Sequence, residues 1–160
     1  LLEGHHRDIG VIELDPNYGD AAPGRRAGCE AYLEQAGIPW STVRVAVGHG
    51  TTRGGYAAAA RLLTDHPWLT GLVCGNDRMA MGAYDAIRER GLRVREDVAV
   101  IGIDDQELIA DQVHPALTTV ALPFEEMGQV AVSHLLALME GEEVPAETLL
   151  PGQIIRRSSA

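Results

Sequence analysis

The sequence predicts an α/β fold: a doubly wound, parallel, Rossmann-like sheet with helices on both faces. Three observations carry this expectation. Short apolar runs of strand length alternate with stretches of helical periodicity along almost all 160 residues. Polar, glycine-rich turns separate them, so each strand reaches the next through a crossover. Hydrophobic residues make up 46% of the chain, enough to bury both faces of a sheet and to exclude disorder.

Taken in order, residues 1–7 read as the tail of a helix followed by a Gly-His turn. Residues 9–14 (IGVIEL) are a buried strand, and 15–24 a loop rich in Pro, Gly, Asn and Asp. Helical spacing over 25–35 stops at Gly37 and Pro39. A second strand, 43–47, leads through a polar turn with Thr51 and Thr52 as candidate N-caps into an alanine-rich helix over 54–64. Residues 71–74 form a third strand, and a helix follows the polar pair Asn76-Asp77 and ends at Gly91. Residues 98–103 (VAVIGI) are a fourth strand, then a short helix is expected over 106–113 and a fifth strand over 117–122. Pro123 suits the first turn of a helix over 124–140, an acidic loop follows, and 148–155 closes the chain as a last strand.

Composition narrows the function classes. Net charge is −10, and all 13 basic residues are Arg. So acidic a surface repels phosphate and makes this chain a poor direct reader of nucleic acid. Cys29 and Cys74 lie in apolar surroundings and read as free thiols rather than a disulfide or metal ligands. No apolar run approaches membrane-spanning length, and no signal-peptide pattern is present. The six His show no metal-ligand spacing. Gly-x-Gly-x-x-Gly, the Walker loop and the Gly-x-Ser-x-Gly elbow are missing, so neither a cofactor nor an enzyme is expected.

In a doubly wound sheet, ligands bind beyond the carboxyl ends of the strands. The polar residues expected there are Asp15, His49, Asn76-Asp77 and Asp104-Asp105, with Arg25 and Arg26 opening the first helix from the same rim. Carboxylates, a carboxamide and a guanidinium suit a polyhydroxylated ligand. Asn76 and Asp77 are also ordinary helix caps. The residues alone leave both roles open; we assign the cap to Asp77 and ligand contact to Asn76 and Asp104. Adjacent aspartates at a strand end point different ways, so Asp104-Asp105 is not expected to form a catalytic dyad.

Several motifs together resemble one family: GNDRMAMG (75–82), RGLRVREDVAVIGIDD (90–105), HPALTTV (114–120) with Pro123-Phe124 and Met127-Gly128, and the tail from Leu149-Leu150-Pro151 to Arg156-Arg157-Ser158. Gly4-His5, the first strand and Arg25-Arg26-Ala27-Gly28 fit as well. In this order they resemble the effector-binding domain of lactose-repressor (LacI/GalR) family transcription regulators, over essentially the whole chain. The resemblance implies a periplasmic-binding-protein-like domain of two lobes. Residues 1–117 would be its C-terminal lobe. Residues 118–147 would be a crossover strand and helix of a largely missing N-terminal lobe, and 148–160 the return strand and tail. The helix-turn-helix is absent. It also implies a cytoplasmic homodimer without membrane contact, acting on DNA only through the missing N-terminal domain. The implied partner is a small-molecule effector of the sugar class, touched by Arg25, Asn76, Asp104 and Phe124. The dimer would meet near Met81 and Tyr84. Gly50 falls where some sugar-binding members carry a stacking aromatic, which removes ring stacking from that point. A transporter's periplasmic sugar-binding protein is the alternative on the same fold.

The helix over 124–140 lines up Phe124, Met127, Val130, Ala131, Leu135 and Leu138 at three- and four-residue spacing. Left uncovered, such a face drives association. The expected outcome in sedimentation velocity is a dimer, with or without exchange of this helix; a stable monomer with the helix facing solvent overturns it.

Overall fold

The computed structural model describes every residue except His5, Tyr18 and Asp20. The His of the expected Gly-His turn and part of the expected 15–24 loop therefore lie outside the described residues. Six strands form one sheet: β1 (Ile9–Glu13), β2 (Arg44–Val47), β3 (Gly71–Cys74), β4 (Ala99–Asp104), β5 (Thr118–Ala121) and β6 (Gln153–Ile155). Four helices connect them: α1 (Ala21–Gln35), α2 (Thr52–Asp65), α3 (Asp77–Glu89) and α4 (Phe124–Met139).

The strand order is β2-β1-β3-β4-β5-β6. The first five strands are parallel, in the doubly wound arrangement the sequence predicts. Alternation along β1 sends Ile9 and Val11 to one face and Ile12 to the other. On the first face they meet Leu33 of α1 with Ile38 and Val43. On the second, Ile12, Leu72, Cys74 and Val100 pack under α2 and α3 in a larger core with Leu62, Met79, Ala83 and Ile87. The chain therefore winds to one side through α1 and to the other through α2 and α3, and reverses between β1 and β3.

The alanine-rich helix packs most closely on its neighbour helix. A Cβ at Gly55 would lie 2.2 Å from the backbone oxygen of Met79, and one at Gly82 would lie 2.0 Å from that of Thr52. Small residues on both helices let the two backbones approach and bury Ala58, Ala80 and Ala83 between them.

Three features differ from the sequence-based expectation. First, α1 begins at Ala21, so Pro23 occupies its first turn, where a missing N–H costs nothing, and Arg25 sits one turn inside the helix. Second, residues 106–113 form a succession of turns rather than a helix. Asp105 lies at φ 56, outside the extended geometry an N-cap needs, and its carboxylate pairs with Arg157 at 2.8 Å. Pro115 then disfavours helix at His114, so the run is too short to nucleate. Third, the last strand spans only Gln153–Ile155 and is antiparallel to β5. α4 packs on neither face of the sheet, so no covering crossover forces β6 to be parallel.

α4 has no buried residue, and Phe124, Met127, Leu135 and Leu138 are all exposed. On the α1 side, the sheet beyond α1 is also uncovered. A groove of about 450 Å³ runs there over Val73, Ile101, Val120 and Ile154, flanked by Leu1 and Leu2.

Gly82→Ala is expected to destabilise the fold by about 2–3 kcal/mol, because its methyl group meets backbone. Gly28, on an open face of α1 with nothing within 4 Å of its Cβ position, should behave oppositely. Gly28→Ala gains about 0.5–1 kcal/mol by raising helix propensity. Urea denaturation of the two variants against the parent checks both signs.

Candidate ligand site

The site is built from the carboxyl ends of β1, β3 and β4 and the start of α1. β3 ends at Cys74, Gly75 makes the turn, and α3 starts at once. The side chain of Asn76 accepts from the Met79 N–H at 2.9 Å and donates to the Gly50 carbonyl at 3.1 Å. Asn76 is extended, at φ −157 and ψ 170, as an N-cap must be. The cap therefore belongs to Asn76, and the assignment of the cap to Asp77 is corrected. Asp77 is the first helical residue, and its side chain turns into the core.

Arg25 reaches across from α1. It donates to the Gly75 carbonyl and, at 3.0 Å, to Asp104 Oδ1. Asp104 closes β4 at φ 118, a left-handed backbone that directs its carboxylate over the rim. Its other oxygen accepts from Gln106 Nε2 at 3.2 Å. The pair is only partly buried, with the Arg25 and Asp104 side chains 24% and 16% exposed. Both charged groups therefore keep a face toward solvent, and each retains hydrogen-bonding capacity. Asp105, its neighbour, points away to Arg157. The two aspartates thus diverge, as expected, and no dyad forms.

Farther along the rim, Asp15 and His49 Nδ1 pair at 2.8 Å. The Asn17 backbone N–H, and then His49, hold the Asp15 carboxyl below its usual range. Beneath the rim, the Asp77 carboxylate is fully buried. Oδ1 accepts from Thr119 Oγ1 at 2.6 Å, and Oδ2 accepts from the Gln106 N–H at 2.8 Å. Burial raises the Asp77 carboxyl above its ordinary value, and these two hydrogen bonds oppose the rise. Sequence reading missed Gln106 and Thr119. Gln106 sat inside an expected helix and Thr119 inside an apolar strand, and nothing local marks either as a partner of Asp77.

Of the sequence-derived residues, Arg25 and Asp104 meet directly, and Asn76 lies beside them through Gly75. Phe124 follows from the same end of the sheet, because Asp104 is paired with Ala121. It is 59% exposed at the start of α4, beside Leu122 and Pro123. The two residues expected at a dimer interface separate. Met81 is 39% exposed, whereas Tyr84 is only 1% exposed and its hydroxyl donates to the Pro115 carbonyl. Tyr84 faces inward because Ala80, Ala83 and Ile87 share its stripe of α3. Its burial pushes the phenol up to about 12. Among the described residues, no group of three His, Cys, Asp or Glu side chains is placed to hold a metal ion. Among the same residues, no helix is long and apolar enough to cross a membrane.

The profile of periplasmic binding protein-like domains matches residues 1–160, the whole chain. The chain belongs to that family. Its relatives narrow the branch to the LacI/GalR regulators. The HTH-type transcriptional repressor PurR of Yersinia pestis bv. Antiqua is 38% identical over all of this chain and 47% of its own length. The lac repressor dimer bound to operator and the anti-inducer ONPF superposes with a TM-score of 0.91 at 32% identity, over 99% of this chain and 54% of that one. A LacI family regulator from Enterococcus faecium with bound ribose gives 0.87 at 29% identity, over 99% and 58%. The chain thus spans about half the length of the relatives it matches. It corresponds to part of the effector-binding domain of LacI-type regulators, and these relatives favour that reading over the transporter protein.

Asn76→Ala removes the N-cap acceptor and leaves the Gly50 carbonyl without its donor. The expected loss is about 1–2 kcal/mol in urea denaturation. Asn76→Asp restores the cap acceptor alone and should fall between the two.

Proposed function

We propose that this chain supplies one wall of the effector cleft of a dimeric, cytoplasmic LacI-type transcriptional regulator, and that it carries no catalytic activity. The observation behind this reading is the Arg25–Asp104 pair, set on the rim where the winding of the sheet reverses. A guanidinium and a carboxylate held side by side offer donors and acceptors at fixed spacing, which fits vicinal hydroxyls. We therefore assign the effector to small polyhydroxylated molecules of the sugar class, in keeping with the ribose in the Enterococcus relative. Arg25 and Asp104 are the principal contacts. Asn76 holds the α3 terminus beside them and offers its remaining hydrogen-bonding capacity. Phe124 is the apolar wall on the opposite side.

In this reading residues 1–117 form the C-terminal lobe, and the strand that begins at residue 118 is the crossover. α4 belongs to the N-terminal lobe, whose remainder lies outside this chain, and β6 is the return strand. The uncovered apolar face of α4 is its packing surface on that lobe. Effector bound between the lobes favours the closed arrangement by its differential affinity for it. The shift alters how paired DNA-binding heads, also outside this chain, meet an operator. Met81 on the outer face of α3 is a contact of the dimer.

The test is a thermal-shift screen of the full-length protein against sugars, sugar phosphates and nucleobases. A ligand at a hundred times its Kd stabilises by about 2.7 kcal/mol, a readily visible shift. Asp104→Ala and Arg25→Ala should each abolish the shift given by a sugar. A hit among nucleobases alone overturns the sugar assignment. A sugar hit that survives both substitutions overturns the site.

A further inference from the structure

Asp77 is buried beneath the rim, yet its carboxylate does not serve the helix it begins. An acid in a first turn ordinarily interacts with the free N–H groups and dipole of its own helix. Here the α3 cap is already Asn76, and both Asp77 oxygens are spent on other elements: Thr119 in the middle of β5 and the Gln106 N–H just after β4. The sheet is shaped to admit it. A Cβ at Gly102 would stand 2.2 Å from Asp77 Oδ1, so glycine on β4 is what lets the carboxylate lie there.

The residue held by this contact bears directly on the rim. Gln106 follows two residues with positive φ, Asp104 at 118 and Asp105 at 56. Such backbone persists only where its surroundings fix it. Three groups do so. Arg25 holds Asp104 Oδ1, Arg157 pairs with Asp105, and Asp77 anchors the backbone at Gln106, whose own side chain returns to Asp104 Oδ2. Thr119, at the other end of the contact, lies two residues before β5 ends and the chain turns toward Phe124.

We propose that Asp77 is a positioning residue of the effector site: by accepting the Gln106 N–H and the Thr119 hydroxyl together, it sets the backbone turn that aims Asp104 at the ligand and ties that turn to β5. The proposal rests on the assignment of Asp104 as an effector contact. It makes Asp77 and Thr119 determinants of affinity although neither touches the cleft, and it gives a reason for keeping a desolvated carboxylate where an apolar residue would cost less.

The experiment uses the full-length protein with two readouts: hydrogen–deuterium exchange over residues 104–107, which needs no ligand, and titration with D-ribose as the probe. Loss of a buried hydrogen bond that fixes a loop corresponds to roughly a tenfold effect. Asp77→Ala should therefore accelerate exchange at 104–107 and weaken ribose by at least about that factor. Asp77→Asn keeps one acceptor for the Gln106 N–H, and its amide can donate to Thr119, so it should return both readouts toward the parent. A merely structural role would lower the global unfolding midpoint without separating Ala from Asn in local exchange. Thr119→Val, nearly isosteric, covers the case in which Asp77→Ala does not fold. It should weaken ribose and quicken exchange at 104–107 while the rest of the domain keeps its protection. Unchanged exchange and affinity in a folded Asp77→Ala or Thr119→Val protein overturns the proposal, as does an Asp77→Asn protein damaged as badly as Asp77→Ala. If the parent itself ignores ribose, the sugar assignment fails separately, and the exchange readout decides the role of Asp77 alone.

Discussion

The reversal of winding between β1 and β3 is the constraint on which the rest depends. Each right-handed crossover must lay its helix on one face of the sheet, and at this one place consecutive crossovers choose opposite faces. The loops leaving β1 and β3 therefore part and open a crevice at their carboxyl ends. Arg25 can span it because α1 rises on one side, and Gly75 can receive it because α3 leaves on the other. With a single winding direction the loops would close over one another, and the same residues would make an ordinary surface.

Electrostatics around that crevice follow a simple division. The chain is strongly acidic, and three aspartates, 77, 104 and 105, converge on one turn. Each is handled differently. Asp104 shares Arg25, Asp105 pairs with Arg157, and Asp77 has hydrogen bonds but no cation. Guanidinium suits both pairs, since its planar fork holds a carboxylate while other donors bind carbonyl oxygens. Arg25 does so at Gly75, and Arg157 does so at Leu117. The two arginines are thus pins as well as counter-charges.

The layered fold was legible because periodicity alone separates buried strands from amphipathic helices, and five of the six strands follow that rule. What escaped depended on contacts distant in sequence. The turns at 106–113 have respectable helical composition. They fail to become a helix because Asp105 is drawn to Arg157, which no local window contains. Tyr84 entered only through the family resemblance, and its position on the stripe with Ala80 and Ile87 takes it inward. For the site, Arg25 and Asp104 stood out as charges at strand and helix ends. Asn76 and Asp77 were harder, because either side chain can cap a helix, and only the carboxylate's partners just after β4 and on β5 decide between them. Those partners lie 29 and 42 residues away. The role of α4 rests on the family resemblance alone, since its partner is not in the chain.

The antiparallel β6 bears on the order of biosynthesis. β5 lies at the edge of the parallel sheet until β6 pairs with it, and α4 with a long loop intervenes between them. During vectorial synthesis the parallel core through β5 emerges first and can consolidate around α2 and α3. Its outer strand then presents unsatisfied N–H and C=O groups until residues 153–155 have left the ribosome. Pairing with β6 therefore moves the open edge from β5 to a strand of only three residues, and a nascent chain stalled within α4 would expose β5 together with the helix's apolar face.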